Sequence, residues 1–347
     1  MDIEVDNSQL SLQYLNLCTG GITREPCNSG VYLKTIVKQD GDAVALFPTT
    51  TCTSIIDGME FYSEMKLNLF KASHPDFERQ RDNLMKILRA LNLVEAYTTR
   101  LIYATDVVAI VDYDGIYADD DKGSMILPDR YKLWDEPMQP HADAIITNRT
   151  DVALLSYSAD CPTAFLRDKR TGAIGVLHSM WRGMVIEKDG KYTSIVESTI
   201  KTMQKQYQTN PADLVVTIFP CIGLDQFVVQ KDVTTKFKAR DLQKFIFEEA
   251  DTKITRIDLQ GAMRELFMRC GVLPENIETT WYTTADYGLN SRRMSPTNYP
   301  GVLGLTGKGC SYSVANVGYG EEPTPTAKLE KTKLITNASN FLIAFHR

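Results

Sequence analysis

Residues 142–183 decide the fold, and they read ADAIITNRTDVALLSYSADCPTAFLRDKRTGAIGVLHSMWRG. Residues 144–147, 152–157 and 173–177 are short apolar runs, which predicts three buried strands. Cys161 follows the second of these strands and His178 ends the third. Because a turn at residues 168–172 brings the chain back on itself, we expect the thiol and the imidazole to lie side by side.

The flanking sequence adds helices and further strands. Apolar residues recur at helical spacing in 77–93, 193–207 and 258–270, whereas 100–111 and 214–219 are typical of strands. Residues 113–140, which are rich in Asp and Pro, predict a long surface loop. The pattern predicts an α/β (mixed α+β) fold with a central mixed sheet flanked by helices.

Composition excludes several classes of protein. The chain has 347 residues, a formal net charge of −6 and 43% hydrophobic residues, so we expect a globular core and no nucleic-acid partner. The N-terminus does not resemble a secretory signal, and no apolar run reaches the roughly 18 residues that span a membrane. We therefore expect a cytoplasmic location and no membrane partner. The seven cysteines include no CxxC pair, which argues against a zinc ribbon.

The pair of Cys161 and His178 allows three interpretations. Sulfur and nitrogen ligands suit zinc, and a catalytic zinc site keeps one position open. Alternatively, the thiol is a nucleophile and the imidazole is its base. The third interpretation is a buried cysteine beside a hydrogen-bonded histidine, with no chemistry at all. Spacing alone does not choose among the three.

Three motifs in this region resemble those of the YfiH family, also called the laccase-domain family. They are ADAIIT at residues 142–147, SADC at 158–161 and HSMWRG at 178–183. The family includes a bacterial peptidoglycan-editing factor and the animal protein FAMIN, and the likeness extends over roughly residues 60–318. It predicts a single YfiH-like catalytic domain over residues 56–318. Residues 1–55 would be an N-terminal extension or additional strands, and 319–347 a C-terminal tail.

The resemblance implies a metal, zinc rather than copper, bound by two histidines and a cysteine. Cys161 and His178 match two of these ligands. Tyr103 stands where the family has its first histidine, and phenol is a poor zinc ligand at neutral pH because its pKa is near 10. His141, just before the ADAIIT motif, is an alternative source of the third nitrogen.

Carboxylates and arginines complete the predicted site. Asp143 and Asp160 adjoin the ligand motifs and are candidates for acid–base catalysis or for orienting a histidine, the alternative being turn or capping roles. The resemblance places Arg182 where it would be both catalytic and phosphate-binding, since guanidinium binds phosphate in a bidentate manner. Further candidate phosphate-binding residues are Arg81, Arg292 and Arg293. The alternative for the arginines is an ordinary surface charge.

The resemblance implies purine nucleoside chemistry on small molecules. The expected reaction is phosphorolysis of adenosine, inosine or guanosine, deamination of adenosine, or both, so the partners are a nucleoside and phosphate. Two alternatives stay open: a non-catalytic relative acting as a binding or interaction module, and a hydrolase that edits cell-wall precursors. A multicopper oxidase is disfavoured, because only four histidines are present. The sequence does not indicate the oligomeric state.

Overall fold

The chain is described by a computed structural model. The residues described are 11–27, 29–56, 59–64, 83, 86–91, 93, 95–99, 101–110, 117–118, 124–127, 141–158, 160–251, 254–280, 283–284 and 340–346. The predicted phosphate-binding residues Arg81, Arg292 and Arg293 lie outside these ranges, as does most of the predicted 319–347 tail.

The first of two large sheets joins the start of the chain to its end. Its eight strands are β1 (Ser11–Asn16), β2 (Ile22–Thr23), β3 (Gly30–Asp40), β4 (Ala43–Ile56), β5 (Met59–Glu64), β6 (Glu95–Thr98), β11 (Val152–Ser158) and β20 (Asn340–His346). They run in the order β2-β1-β3-β4-β20-β11-β6, with β5 paired to β4. The pair of β11 and β6 is parallel and the others are antiparallel, so the sheet is mixed.

The second sheet carries the residues of the predicted site. Its strands are β7 (Val107–Ile110), β8 (Tyr117–Ala118), β9 (Ser124–Leu127), β10 (Ala144–Thr147), β12 (Thr163–Asp168), β13 (Ile174–His178), β16 (Leu214–Ile218) and β19 (Ile277–Thr279). The order is β19-β16-β12-β13-β10-β7-β9-β8. Pairing is antiparallel around β12 and β13 and parallel towards both edges, apart from the antiparallel β8–β9 pair.

Helices cover the outer face of the second sheet. They are α1 (Trp181–Met184), α2 (Ile195–Tyr207), α3 (Lys231–Ala239) and α4 (Leu259–Arg269). The side chain of Ser194 accepts the amide of Glu197 in the first turn of α2, and that of Asp258 accepts the amide of Gly261 in the first turn of α4, which explains where these helices begin. Two small ribbons pair β14 (Ile186–Lys188) with β15 (Lys191–Thr193) and β17 (Ile246–Glu248) with β18 (Thr255–Ile257).

The two sheets pack face to face, and alternate residues of each strand serve different cores. In β11, Val152 and Leu154 point towards the second sheet, whereas Ala153 and Leu155 point to the opposite side. The rings of Phe47 and Phe219 stack across the inter-sheet core with centroids 5.5 Å apart. Strands buried on both faces need apolar residues throughout, which explains the continuous apolar runs in the sequence.

The predicted mixed α/β class is confirmed, with two sheets where one central sheet was expected. The predicted loop at 113–140 is wrong in part, because β8 and β9 fall within it and extend the second sheet. Strands of two and four residues among Asp and Pro give little periodic signal. The domain boundaries stay a prediction, although β1–β4 and β20 share a sheet with β11. Within the described ranges, no helix is long and apolar enough to cross a membrane.

Candidate active site

The hairpin of β12 and β13 brings Cys161 and His178 to one end of the second sheet. Thr163 faces His178 in the antiparallel register, and the Ser179 amide donates to the Pro162 carbonyl at 2.9 Å, which extends the ladder towards Cys161. The hairpin closes at Gly172, whose φ of +76° favours glycine. The predicted proximity of the thiol and the imidazole therefore follows from an antiparallel pair of strands.

Asp143 enters the site from the neighbouring strand. Ala144 faces Leu177 in the register of β10 and β13, and the His178 amide donates to the Asp143 carbonyl at 2.7 Å. The side chains meet as well, with His178 Nδ1 3.0 Å from Asp143 Oδ1. Both side chains are 2% exposed. A carboxylate that accepts from Nδ1 keeps the proton on that nitrogen. Nε2, on the opposite side of the ring, is then the nitrogen that can interact with other groups.

The loop before β7 wraps around the second oxygen of Asp143. The amides of Ile102 and Ala104 donate to Oδ2 at 3.3 and 2.8 Å. Between them, Tyr103 has a φ of 60° and places its ring centroid 5.8 Å from that of His178, at an angle of 59°. Tyr103 therefore stands beside His178. Whether Tyr103 replaces that ligand stays a prediction.

The electrostatics of His178 reflect its neighbours Cys161 and Asp143. Burial by itself lowers the pKa of His178, but electrostatic interaction with Cys161 and the hydrogen bond to Asp143 outweigh it and raise the pKa to about 9. Asp106 lies on the same loop, and its carbonyl accepts the Asp143 amide at 3.0 Å. Burial, followed by repulsion from Asp143, raises the pKa of the Asp106 carboxyl. Both shifts favour the protonated forms of His178 and Asp106.

Asp160 lies next to Cys161 and is turned towards the chain after β19. Its Oδ1 accepts a hydrogen bond from the Thr284 hydroxyl at 2.9 Å, and its carbonyl accepts the Ile222 amide at 2.8 Å. Asp160 is 9% exposed. These contacts tie the Cys161 turn to two neighbouring segments. The predicted acid–base role of Asp160 stays a prediction.

Arg182 lies at the start of α1, four residues after His178. It is exposed, and its guanidinium carbon lies 5.2 Å from the centroid of the Trp181 ring. Lys236 Nζ approaches the same ring at 5.8 Å. Trp181 packs partly against the helical core, and its ring contacts the cationic side chains of Arg182 and Lys236 at the surface. The predicted phosphate-binding role of Arg182 is not decided by these contacts.

The donor atoms of Cys161 and His178 suit zinc, but the described residues supply fewer ligands than a zinc site needs. His141 is exposed. No group of three or more His, Cys, Asp or Glu residues able to hold a metal ion occurs in the part of the chain that the structure describes. A catalytic zinc site has three protein ligands, and two of the predicted ones are near each other here.

Sequence reasoning missed two features of the site. The first is strand β12, whose alternation of Ala164, Phe165 and Leu166 between two cores was available as a signal. The second is the pair of loop amides on Asp143. No residue type signals backbone donors, so that contact required the folded loop.

The sequence of this chain is similar to those of a known protein family and of several known proteins. The family model described as "Multi-copper polyphenol oxidoreductase laccase" matches residues 54–294, more than half of the chain. A purine nucleoside phosphorylase of Bacteroides thetaiotaomicron is 32% identical over 157 residues, which cover 44% of this chain and 56% of that protein. The mouse purine nucleoside phosphorylase LACC1 is 28% identical over 136 residues, covering 39% of this chain and 30% of that protein. The chain therefore spans about half or less of these curated relatives.

Solved structures support the fold. The hypothetical protein YfiH of Bacillus licheniformis superposes with a TM-score of 0.63 at 14% identity, covering 92% of this chain and 97% of that one. YlmD of Geobacillus stearothermophilus gives a TM-score of 0.59 at 14% identity and covers 98% of each chain. At this identity the likeness concerns the fold alone.

Proposed function

The chain belongs to the family described as multi-copper polyphenol oxidoreductase laccase, and from that premise we propose that it is a purine nucleoside phosphorylase. Its substrates would be a purine nucleoside and inorganic phosphate. In the reaction, a phosphate oxygen bonds to C1′ of the ribose while the bond from C1′ to the base breaks, and the base leaves with a proton. The products are a free purine and ribose 1-phosphate.

One observation carries the proposal: a buried His178 is oriented by Asp143 and lies close to Cys161 at one end of the second sheet. The hydrogen bond of 3.0 Å between His178 and Asp143 fixes the ring, and Cys161 is the more accessible partner, being half-buried. Enzymes hold reacting groups in this way because misplacement is costly. The curated relatives named purine nucleoside phosphorylase connect this arrangement with nucleoside chemistry.

The contacts suggest different roles for the carboxylates of Asp143 and Asp160. Asp143 already accepts hydrogen bonds from His178, Ile102 and Ala104, which favours a positioning role. Asp160 then becomes the candidate for moving the proton to the leaving base. Arg182, which is exposed, would bind phosphate together with Arg81, Arg292 and Arg293.

Zinc is the metal we propose for this site. Cys161 and His178 would hold it, because thiolate and imidazole are its usual ligands, and His141 is the candidate for a third ligand. When bound, zinc would act as a Lewis acid. Copper is the less favoured metal, although the family description names it, because the chain has four histidines in all. Deamination of adenosine by the same site is a second proposed activity, and a cytoplasmic location remains a prediction.

The test is a product assay with adenosine, inosine and guanosine, each with and without phosphate, beside metal content per chain. Chromatography distinguishes free base from inosine, so it separates phosphorolysis from deamination. We expect phosphate-dependent release of the base, reduced at least about 100-fold in Cys161→Ala and His178→Gln, the size of effect typical of lost catalytic groups. The matched control is Cys270→Ala, because Cys270 is a half-buried cysteine packed against the helical core.

Three results would contradict the proposal. Wild-type protein that loads no metal and releases no base would favour the non-catalytic alternative, in which the fold serves as a binding or interaction module. Turnover that persists in both Cys161→Ala and His178→Gln would place the chemistry elsewhere in the chain. Activity on cell-wall precursors in place of nucleosides would support the editing hydrolase.

A further inference from the structure

Two cationic side chains from different helices meet at the ring of Trp181. Arg182 belongs to α1, and Lys236 belongs to α3, which comes much later in the chain. The guanidinium carbon of Arg182 lies 5.2 Å from the ring centroid, and Lys236 Nζ lies 5.8 Å from it. Both residues are exposed, whereas Trp181 is half-buried and packs against the helical core. Attraction to the ring therefore restricts where the two charged groups lie.

Lys236 does not pair with the carboxylate that its own helix offers. Asp232 lies four residues before it on α3, a spacing at which an acid and a lysine can form an ion pair. No such pair forms, and within the described ranges neither Lys236 nor Arg182 makes an ion pair with a carboxylate. The whole chain has a net charge of −6, so this pair of cations is a local feature and not a consequence of composition.

The two cations lie near the candidate active site. Trp181 begins α1 shortly after β13, which ends at His178. Three residues of chain span at most about 11 Å, so the backbone of Trp181 lies within that distance of His178. An anion bound between Arg182 and Lys236 would therefore lie at the same end of the second sheet as Cys161 and His178.

A guanidinium and an ammonium group together suit phosphate. Arginine presents a planar fork of N–H donors that matches two phosphate oxygens, and lysine adds a compact point charge for a further oxygen. Side chains that a ring already orders lose less conformational entropy when the anion binds. An anion between the two cations also offsets the repulsion between them.

We propose that Lys236 is a phosphate-binding residue that acts together with Arg182, and that the ring of Trp181 positions both for inorganic phosphate. The inference rests on the proposed function for the use of this phosphate in turnover. It adds to the site a residue of α3, a helix that none of the sequence motifs includes. Binding of the anion can be measured whether or not turnover occurs.

The experiment measures the dissociation constant of inorganic phosphate by phosphorus NMR at fixed ionic strength. Where base is released, it also measures the KM values for phosphate and for the nucleoside. Lys236→Ala removes the cation and Lys236→Arg keeps it. The matched control is Lys231→Ala, which removes an exposed lysine from the same helix.

We expect Lys236→Ala to weaken phosphate binding about tenfold and to raise the KM for phosphate by a similar factor, because a charge-assisted hydrogen bond is lost. The KM for the nucleoside should stay unchanged. Phosphate binding in Lys236→Arg and Lys231→Ala should stay close to that of wild type. Since both lysines are exposed, these substitutions should leave the fold intact.

Two results would overturn the inference. The first is phosphate binding that is unchanged in Lys236→Ala. The second is an equal loss in Lys231→Ala, because binding would then respond to the net charge of the protein and not to a particular site.

The outcomes distinguish this inference from the proposed function. Wild-type protein that binds phosphate without releasing base, and loses that binding in Lys236→Ala, would support the anion site and contradict the phosphorylase. Release of base with the same KM for phosphate in wild type and Lys236→Ala would do the reverse. Wild-type protein that neither binds phosphate nor releases base would contradict both.

Discussion

Asp143 links two parts of the site through a single carboxylate. One oxygen accepts from His178 Nδ1, and the other accepts from the amides of Ile102 and Ala104. Because the group is almost completely buried, each of these bonds is stronger than it would be in water. Electrostatic interaction with Cys161 and the hydrogen bond to Asp143 favour the protonated form of His178 in the metal-free protein. A bound cation would have to displace that proton, since metal ligands bind deprotonated.

The raised pKa of His178 predicts a pH dependence of stability in the metal-free protein. The folded pKa of about 9 exceeds the reference value of 6.5. The stabilisation is therefore fully present below about pH 6.5 and is lost as the pH rises through about 9. Its upper bound is on the order of 3 kcal/mol, at 1.36 kcal/mol per pKa unit. Urea unfolding with a chelator present, at about pH 6 and about pH 9.5, measures the loss.

Asp143→Asn is the variant that isolates this effect. Asparagine keeps an oxygen for the loop amides but removes the charge that holds the proton on His178. We expect the stability difference between the two pH values to shrink by at least about 1 kcal/mol in this variant. An equal difference in wild type and Asp143→Asn would show that the carboxylate does not control the titration of His178.

At the scale of elements, strand β20 has a central place although it comes last in the chain. It lies between β4 and β11, with Ile343 facing Leu46 on one side and Leu155 on the other. The strand closes a sheet whose other strands come from residues 11–158. Without it, β4 and β11 would each present an unpaired edge, which is a site for aggregation.

Ile343→Ala tests how much this strand contributes. Ile343 is fully buried in the core formed with the helical residues Ile87 and Leu88. Truncation to alanine leaves a cavity, so we expect the free energy of unfolding to fall by about 2–5 kcal/mol. The control is Leu273→Ala, because Leu273 is 40% exposed; there the change should stay below about 1 kcal/mol. If chemical denaturation shows the same loss of unfolding free energy for Ile343→Ala and Leu273→Ala, β20 is not part of the cooperative core.

At the scale of the whole molecule, stability depends on two sheets meeting face to face. The inter-sheet core takes side chains from β3, β4 and β11 on one side and from β7, β10, β12 and β13 on the other. A partly buried ion pair, Lys38 with Glu278 at 2.7 Å, also joins the sheets. The site lies at one end of the second sheet, so its geometry is held by the same packing.

The stacked rings of Phe47 and Phe219 provide a test of that packing. Both residues are fully buried, and their ring planes are 20° apart. A double-mutant cycle with Phe47→Leu and Phe219→Leu should give a coupling energy of about 0.5–1.5 kcal/mol, the range for aromatic pairs. If the two substitutions lower the free energy of unfolding in urea by strictly additive amounts, the rings contribute by burial alone.

Several strands of the two sheets, and the closeness of Cys161 to His178, could be predicted before the structure. The apolar runs predicted β10, β11 and β13, and the turn at Gly172 predicted that Cys161 and His178 would be neighbours. The short strands β8 and β9 were not predicted, because two to four residues in a segment rich in Asp and Pro carry no usable period. The predicted roles of His141, Arg182 and Asp160 stay predictions.

The sequence by itself determined the fold class, the motifs and the identity of the pair at the centre of the site, because periodicity and residue type are properties of the chain alone. Only the tertiary structure decided that there are two sheets, that β20 lies inside the first, and that Asp143 holds both His178 and the loop of Tyr103. The physical reason is that these contacts join residues far apart in sequence, many through backbone amides and carbonyls that every residue type shares.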